Sequence, residues 1–214
     1  MDENCSVMIL TGGRSTRFGS DKSKAQLGEQ TLLAHLLSGL PSTTEIVIVG
    51  PVFEHAPPNL RFVQENPRGG GPVAALHAGI DLIDTEFVAL IATDMPFAVR
   101  VIRTLFDSVE LARDGVIPLD REGVAQTLCA IYRTASLRRA LTTLGNPEGR
   151  SMRSLAALLD LYEVELPRAL ESSLLDIDRP EELDRAIAMT RREDSRGRAH
   201  DGDAHDGDTR DRDS

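Results

Sequence analysis

Three short stretches of this chain are almost unbroken apolar runs, and that limits the folds open to it. They are Ser6-Val7-Met8-Ile9-Leu10-Thr11, Glu45-Ile46-Val47-Ile48-Val49-Gly50 and Phe87-Val88-Ala89-Leu90-Ile91-Ala92-Thr93. A strand with one wet face alternates apolar and polar residues. These do not, so both faces of their sheet must be covered. Helical stripes separate them. Residues 31–40 carry apolar side chains at 32, 33, 36, 37 and 40 and are closed by Pro41, while 72–83 has Pro72 in its first turn, where the missing N–H costs nothing. Further helices are expected over 101–112, 135–144, 152–160 and 180–190, the last opened by Asp178-Arg179-Pro180-Glu181-Glu182. Extended runs are expected at 115–119, 126–132 and 162–166. The pattern predicts an α/β fold, a mostly parallel sheet with helices on both faces. Ligands of such sheets sit beyond the C-terminal strand ends. The chemistry is therefore expected just after Thr11, Gly50, Gln64 and Thr93.

The chain has 214 residues, enough for one domain with a sizeable core. From Arg191 to Ser214 no aliphatic residue is larger than alanine. Such a stretch cannot offset its ordering entropy by burial, so the reading is a folded domain over 1–190 and a disordered Asp/Arg/Gly/His tail over 191–214. His200 and His205 stand among aspartates in that tail and are read as solvated. No apolar run approaches the roughly 20 residues of a membrane span, and the acidic start Met1-Asp2-Glu3-Asn4 does not read as a signal peptide. Cys5 and Cys129 are too few for a disulfide framework and fit a reducing, cytoplasmic setting. A formal charge of −10 argues against nonspecific nucleic-acid binding. Any anionic ligand must then meet local positive charge. The only two lysines among 24 basic residues, Lys22 and Lys24, lie together behind a glycine-rich turn.

That turn is Leu10-Thr11-Gly12-Gly13-Arg14-Ser15-Thr16-Arg17-Phe18-Gly19-Ser20-Asp21-Lys22. Glycines straight after a strand let backbone N–H groups turn inward and cradle phosphate oxygens, with Arg14, Arg17 and Lys22 adding charge. It is not a Walker loop: five residues separate Gly13 from Gly19, and Ser20-Asp21 precede the lysine. The dinucleotide fingerprint G-x-G-x-x-G is absent as well. A second stretch, Glu65-Asn66-Pro67-Arg68-Gly69-Gly70-Gly71-Pro72, leads into a helix N-terminus and suits close approach of a flat ring or an anion. It also reads as a plain connection. A third, Thr93-Asp94-Met95-Pro96, places a carboxylate at the end of a buried strand. Asp94 there is either a ligand for Mg²⁺, which takes one or two carboxylates, or a cap for the next helix.

The first motif resembles the nucleotidyltransferase signature Leu-Ala-Gly-Gly-x-Ser-x-Arg-Met/Phe-Gly-x-Asp-Lys, and within that family it is most similar to the molybdenum cofactor guanylyltransferases. Thr11 replaces the usual alanine. Cytidylyltransferases and sugar-nucleotide pyrophosphorylases read Ala-Ala-Gly and end in Pro-Lys, so Gly12-Gly13 and Asp21-Lys22 favour the guanylyl branch. The second motif resembles the segment that closes over guanine, with Glu65 for Asp and Ala75 for Gly. The third falls on the family's metal-binding Asp-Met-Pro. Ala130-Ile131-Tyr132-Arg133 and Gly149-Arg150-Ser151-Met152-Arg153 look like its Tyr-Arg strand and Gly-x-Arg segment. Asp176-Ile177-Asp178-Arg179-Pro180-Glu181-Glu182 is similar to Asn-x-Asn-x-Pro-Glu-Glu, with both asparagines replaced by aspartate.

The resemblance implies a single Rossmann-like nucleotidyltransferase domain, Mg²⁺ as cofactor, and GTP and a molybdopterin-type phosphate as substrates. It allows transient contact with cofactor-biosynthesis or molybdoenzyme partners; nucleic acid and membrane are not expected. It places the nucleotide on Leu10, Thr11, Gly12, Gly13, Lys22, Glu65, Gly71 and Asp94. Arg17, Lys22 and Asp94 are its catalytic set, and Asp94 its metal ligand. Arg150, Arg153, Asp176 and Asp178 lie on the acceptor side, the two arginines equally plausible as structural residues at a helix start. Another base or acceptor on the same fold, or a nucleotide-binding module without catalysis, stays open at this stage.

Overall fold

A computed structural model describes residues 4–11, 25–52 and 60–201, with backbone alone from 192 to 201. Its main sheet has seven strands in the order β5-β4-β1-β6-β8-β7-β9. They are β1 (Cys5–Leu10), β4 (Ile46–Val49), β5 (Leu60–Val63), β6 (Phe87–Ala92), β7 (Gly115–Leu119), β8 (Cys129–Arg133) and β9 (Leu161–Glu165). Only β8 runs against the rest, pairing antiparallel with both β6 and β7. The expected mostly parallel α/β sheet is the architecture found. A separate two-stranded ribbon, β2 (Gln26–Leu27) with β3 (Gln30–Thr31), leads into helix α1 (Leu32–Ser38).

The unbroken apolar runs have a direct structural cause. In β1, Val7 and Ile9 point into one core while Met8 and Leu10 point into the other. Ile46 and Ile48 against Val47 and Val49 divide the same way in β4, as do Ala89 and Ile91 against Val88 and Leu90 in β6. Strand side chains alternate sides, so two apolar layers need every position apolar. The first layer is closed by α1 and by α3 (Ala98–Leu105), which bury Leu36 and Ile102. The second is closed by α2 (Pro72–Ile80), α4 (Thr134–Leu144) and α5 (Met152–Ala156), which bury Leu76, Leu137 and Leu155.

Helix α6 (Arg168–Glu171) is a short turn; α7 (Pro180–Asp201) is long and continues past the end expected at 190. Residues 202–214, including His205, lie outside the described residues. The apolar anchors of α7, namely Leu183, Ala186, Ile187 and Met189, fall within its first half and dock on a third, small core with Leu27, Leu32, Phe97 and Ile177. Among the described residues no helix is long and apolar enough to cross a membrane.

At the opposite end of the sheet from the C-terminal strand ends, Asp114 ties three elements together. Its carboxylate accepts from Asp160 N–H at 2.9 Å ahead of β9, from Ser136 Oγ at 2.6 Å in α4, and from Arg139 at 3.2 Å. The Asp160 amide bond, then the Ser136 hydroxyl, hold the Asp114 carboxyl below the ordinary value of 3.8 against an opposing effect of burial. A lowered folded-state pKa stabilises the fold above the unfolded value and loses that contribution as pH falls through the folded one. Asp114→Asn should therefore lower Tm at neutral pH by about 3 °C, the scale of roughly one charged hydrogen bond in a domain this size. The gap between variant and wild type should close as pH drops below 3.8. Thermal melts across an acid series check this; a gap independent of pH would contradict it.

Candidate active site

Three parallel strands, β4, β1 and β6, end side by side, and the chain leaves each of them at a residue singled out in the sequence. After β1 comes Thr11, whose N–H and hydroxyl both donate to the carbonyl of Val49, each at 3.0 Å. After β4 comes Gly50, where an added Cβ would lie 1.8 Å from Thr11 Oγ1. The Thr11 hydroxyl thus fills the space that a side chain at position 50 would need. It turns toward β4, so only a glycine fits opposite it. After β6 come Thr93 and Asp94. Thr93 donates its N–H at 3.0 Å and its hydroxyl at 2.8 Å to the carbonyl of Leu10.

Leu10 itself is a core residue, 5% exposed, and marks where the glycine-rich loop departs. Gly12, Gly13, Arg14, Arg17, Lys22 and Lys24 lie outside the described residues. The anchor points of their loop are described: it leaves at Thr11 and returns at Ala25, whose carbonyl accepts from Leu32 N–H at 3.0 Å.

Asp94 does not cap α3. The residue in the capping position of that helix is Phe97, whose side chain makes no capping bond. Instead, carboxylate oxygens of Asp94, Asp176 and Asp178 all lie within 4.8 Å of one another. The approach is enforced from below. Ile177 sits between the two aspartates, is 1% exposed, and packs in the third core with Phe97. Its N–H donates to the Asp94 carbonyl at 2.9 Å. Burying an isoleucine contributes about 2 kcal/mol and one backbone hydrogen bond about 1, so the apolar anchor is the larger hold. Asp178 is fixed from the other side, because Glu182 Oε2 accepts from the N–H groups of Asp178 at 2.6 Å and Arg179 at 2.8 Å as α7 begins. Three carboxylates at such range offer only hard oxygen donors, a set that suits Mg²⁺ or a similar divalent cation.

A cleft of about 580 Å³ opens between the glycine-rich approach to α2 and the segment entering α5. Gly70, Gly71, Thr127, Arg150, Met152 and Arg153 are among its lining residues. Gly70 O accepts from Gly149 N–H at 2.8 Å, which joins the two sides. A Cβ on Gly70 would come to 2.8 Å from that of Ala74, so the close turn onto α2 requires glycine. Glu65 is 8% exposed, and its carboxylate accepts from Gly69 N–H at 3.0 Å, closing its own loop. Gly71 precedes α2 directly and brings no capping side chain. The residues expected on the acceptor side therefore separate: Arg150 and Arg153 face this cleft, whereas Asp176 and Asp178 stand against Asp94. Their meeting with Asp94 was the part missed from sequence. An acid–isoleucine–acid alternation, with the apolar residue buried, was the available signal.

Residues 7–164 match the family described as the MobA-like NTP transferase domain. The chain belongs to that family. It is 30% identical over 191 residues, 83% of this chain and 91% of the relative, to a probable molybdenum cofactor guanylyltransferase of Chloroflexus aggregans. A protein of the same description from Carboxydothermus hydrogenoformans is 31% identical over 133 residues, 61% of this chain and 66% of the relative. Among solved structures, the molybdopterin-guanine dinucleotide biosynthesis protein A of Archaeoglobus fulgidus superposes with a TM-score of 0.66 at 20% identity, covering 87% of this chain and 99% of that one. The 2-C-methyl-D-erythritol 4-phosphate cytidylyltransferase of Thermus thermophilus superposes with a TM-score of 0.64 at 21% identity, covering 87% and 98%. These two likenesses show the fold. Membership of the family makes the chain a nucleotidyltransferase, as the glycine-rich motif implied.

Proposed function

We propose that this nucleotidyltransferase moves GMP from GTP onto the terminal phosphate of molybdopterin, releasing pyrophosphate. The observation that carries the reading is the convergence of Asp94, Asp176 and Asp178 at the end of β6, one strand from the start of the glycine-rich loop. The strand end from which a loop suited to a triphosphate departs then adjoins a carboxylate set suited to its counter-cation. Guanine is favoured by Gly12-Gly13 and Asp21-Lys22, and by the guanylyltransferase names of the relatives. The fold alone does not choose the base, since a cytidylyltransferase shares it.

An acceptor phosphate oxygen attacks the α-phosphorus of GTP; the new P–O bond forms as the bond to the bridging oxygen breaks, with inversion. Little covalent work falls to the protein, and positioning and charge neutralisation supply the rate. Backbone N–H groups of Gly12 and Gly13 cradle the triphosphate. Arg17 draws off charge on the departing pyrophosphate, and Lys22 neutralises the α-phosphate. Asp94 would hold Mg²⁺, with Asp176 and Asp178 as further carboxylate donors, and the cation, when bound, would neutralise phosphate charge. Arg150 and Arg153, on the cleft by Gly71, meet the anionic acceptor.

Pyrophosphate release measured with each NTP in turn, with and without molybdopterin, tests this directly. GTP with molybdopterin should exceed every other pair by at least about tenfold, the size of roughly one lost hydrogen-bonded contact to the base. Preference for CTP, or release independent of molybdopterin, would overturn the assignment.

A further inference from the structure

Two threonines close the ends of neighbouring strands in the same manner. Each gives both its N–H and its hydroxyl to the last carbonyl of the strand beside it: Thr11 to Val49, and Thr93 to Leu10. A single amide bond sets the height of a strand end but leaves its last residue free to tilt. A second donor from the side chain fixes χ1 and that tilt together. Thr93 is 4% exposed, so its hydroxyl is cut off from bulk water and the bond to Leu10 persists. Asp94 is the next residue along the chain, and Thr11 is the next after Leu10.

We infer that Thr93 is a positioning residue: its hydroxyl bond to the Leu10 carbonyl sets the direction in which Asp94 leaves β6, and so the cation affinity of the carboxylate set. This rests on the reading of Asp94 as a metal ligand. Strand geometry alone does not require the hydroxyl, because valine has the same shape and suits a buried strand as well. What valine lacks is the bond to Leu10, which also ties the carboxylate to the residue where the phosphate loop begins. Partners behind a metal ligand commonly act through its orientation in this way. Thr11 differs, being half-buried and bonded toward β4 rather than toward the strand that leads to Asp94.

The test uses the full chain and three variants, Thr93→Ser, Thr93→Val and Thr93→Ala. Mn²⁺ is the probe, its binding followed by the loss of free-ion paramagnetic signal, with a thermal melt of each protein alongside. Thr93→Ser keeps the hydroxyl and should bind Mn²⁺ as the wild type does. Thr93→Val and Thr93→Ala should bind about tenfold more weakly, at temperatures where they are folded. Wild-type affinity in the valine variant, or equal loss in the serine variant, overturns the inference. If valine does not fold, alanine against serine decides by the same criteria. If neither valine nor alanine folds, the hydroxyl is structural and the inference falls. Failure of the underlying reading is separable, because it appears as unchanged Mn²⁺ binding in Asp94→Asn.

Discussion

Asp94→Asn is expected to fold and melt as the wild type does while losing Mg²⁺-dependent turnover by about 100-fold or more, beyond the usual loss when only a partner behind a metal ligand is removed. Asparagine has the shape of aspartate, so the turn after β6 and the Asp94 carbonyl bond to Ile177 are retained. The neutral amide is a much weaker ligand for a hard cation. Helix capping does not confuse the result, since Asp94 is not the residue before α3. The Asp94, Asp176 and Asp178 carboxylates lie within 4.8 Å of one another, so removing one charge relieves repulsion within the set. A melt and a pyrophosphate-release assay across a Mg²⁺ titration check both halves. Near-normal turnover at low Mg²⁺ would refute the metal assignment.

The second large effect is expected at Lys22. Lys22→Ala should cut turnover by about 10²–10³, the usual loss when one donor to developing charge is removed. Lys24→Ala should change it little. The two lysines are nearly adjacent in sequence, so a diffuse basic loop would feel both losses alike, whereas a positioned lysine is sensitive to one. The resemblance sets Lys22 at the lysine that closes the glycine-rich motif, whereas Lys24 lies beyond that motif. Steady-state kinetics of both variants, at fixed Mg²⁺, distinguish the cases; equal losses would discard the assignment of Lys22.

Much of the sheet was legible because a strand buried on both faces leaves a strong trace. Val7, Met8, Ile9 and Leu10 feed two cores alternately, and no polar residue is tolerated among them. The ribbon Gln26–Leu27 with Gln30–Thr31 was not legible, since two residues per strand show no period. Helix α3 starts at Ala98, ahead of the expected 101, because Ala98 and Val99 already pack in the first core just after the Met95-Pro96 turn. Helix α7 runs on to Asp201 although apolar anchors end at Met189. A helix docked by one end extends at low cost through residues such as Arg, Glu and Ala, and burial patterns carry no mark of that.

Near the candidate site, the position of Asp94 just beyond a buried strand was legible in the apolar run that precedes it, and the end of β1 in the glycines that follow. What could not be read was which distant segment faces Asp94. Asp176 and Asp178 arrive there because Ile177 is pulled into the core beside Phe97; the acid–isoleucine–acid alternation marks the segment but not the distant strand end it meets. The division of the acceptor-side residues between two places has the same origin. Arg150 and Arg153 follow α4 across the second face of the sheet, while the aspartates precede α7 at the strand ends.

The central claim is that the α-phosphate of GTP is what the protein transfers. It is tested most directly by incubating the full chain with molybdopterin, Mg²⁺ and GTP labelled at either the α or the γ phosphorus, then separating the products. The account predicts that the α label appears in a molybdopterin–GMP conjugate and the γ label in pyrophosphate, in equal amounts. Label from the γ position in the acceptor, or α label left in free GMP with no conjugate formed, would contradict it.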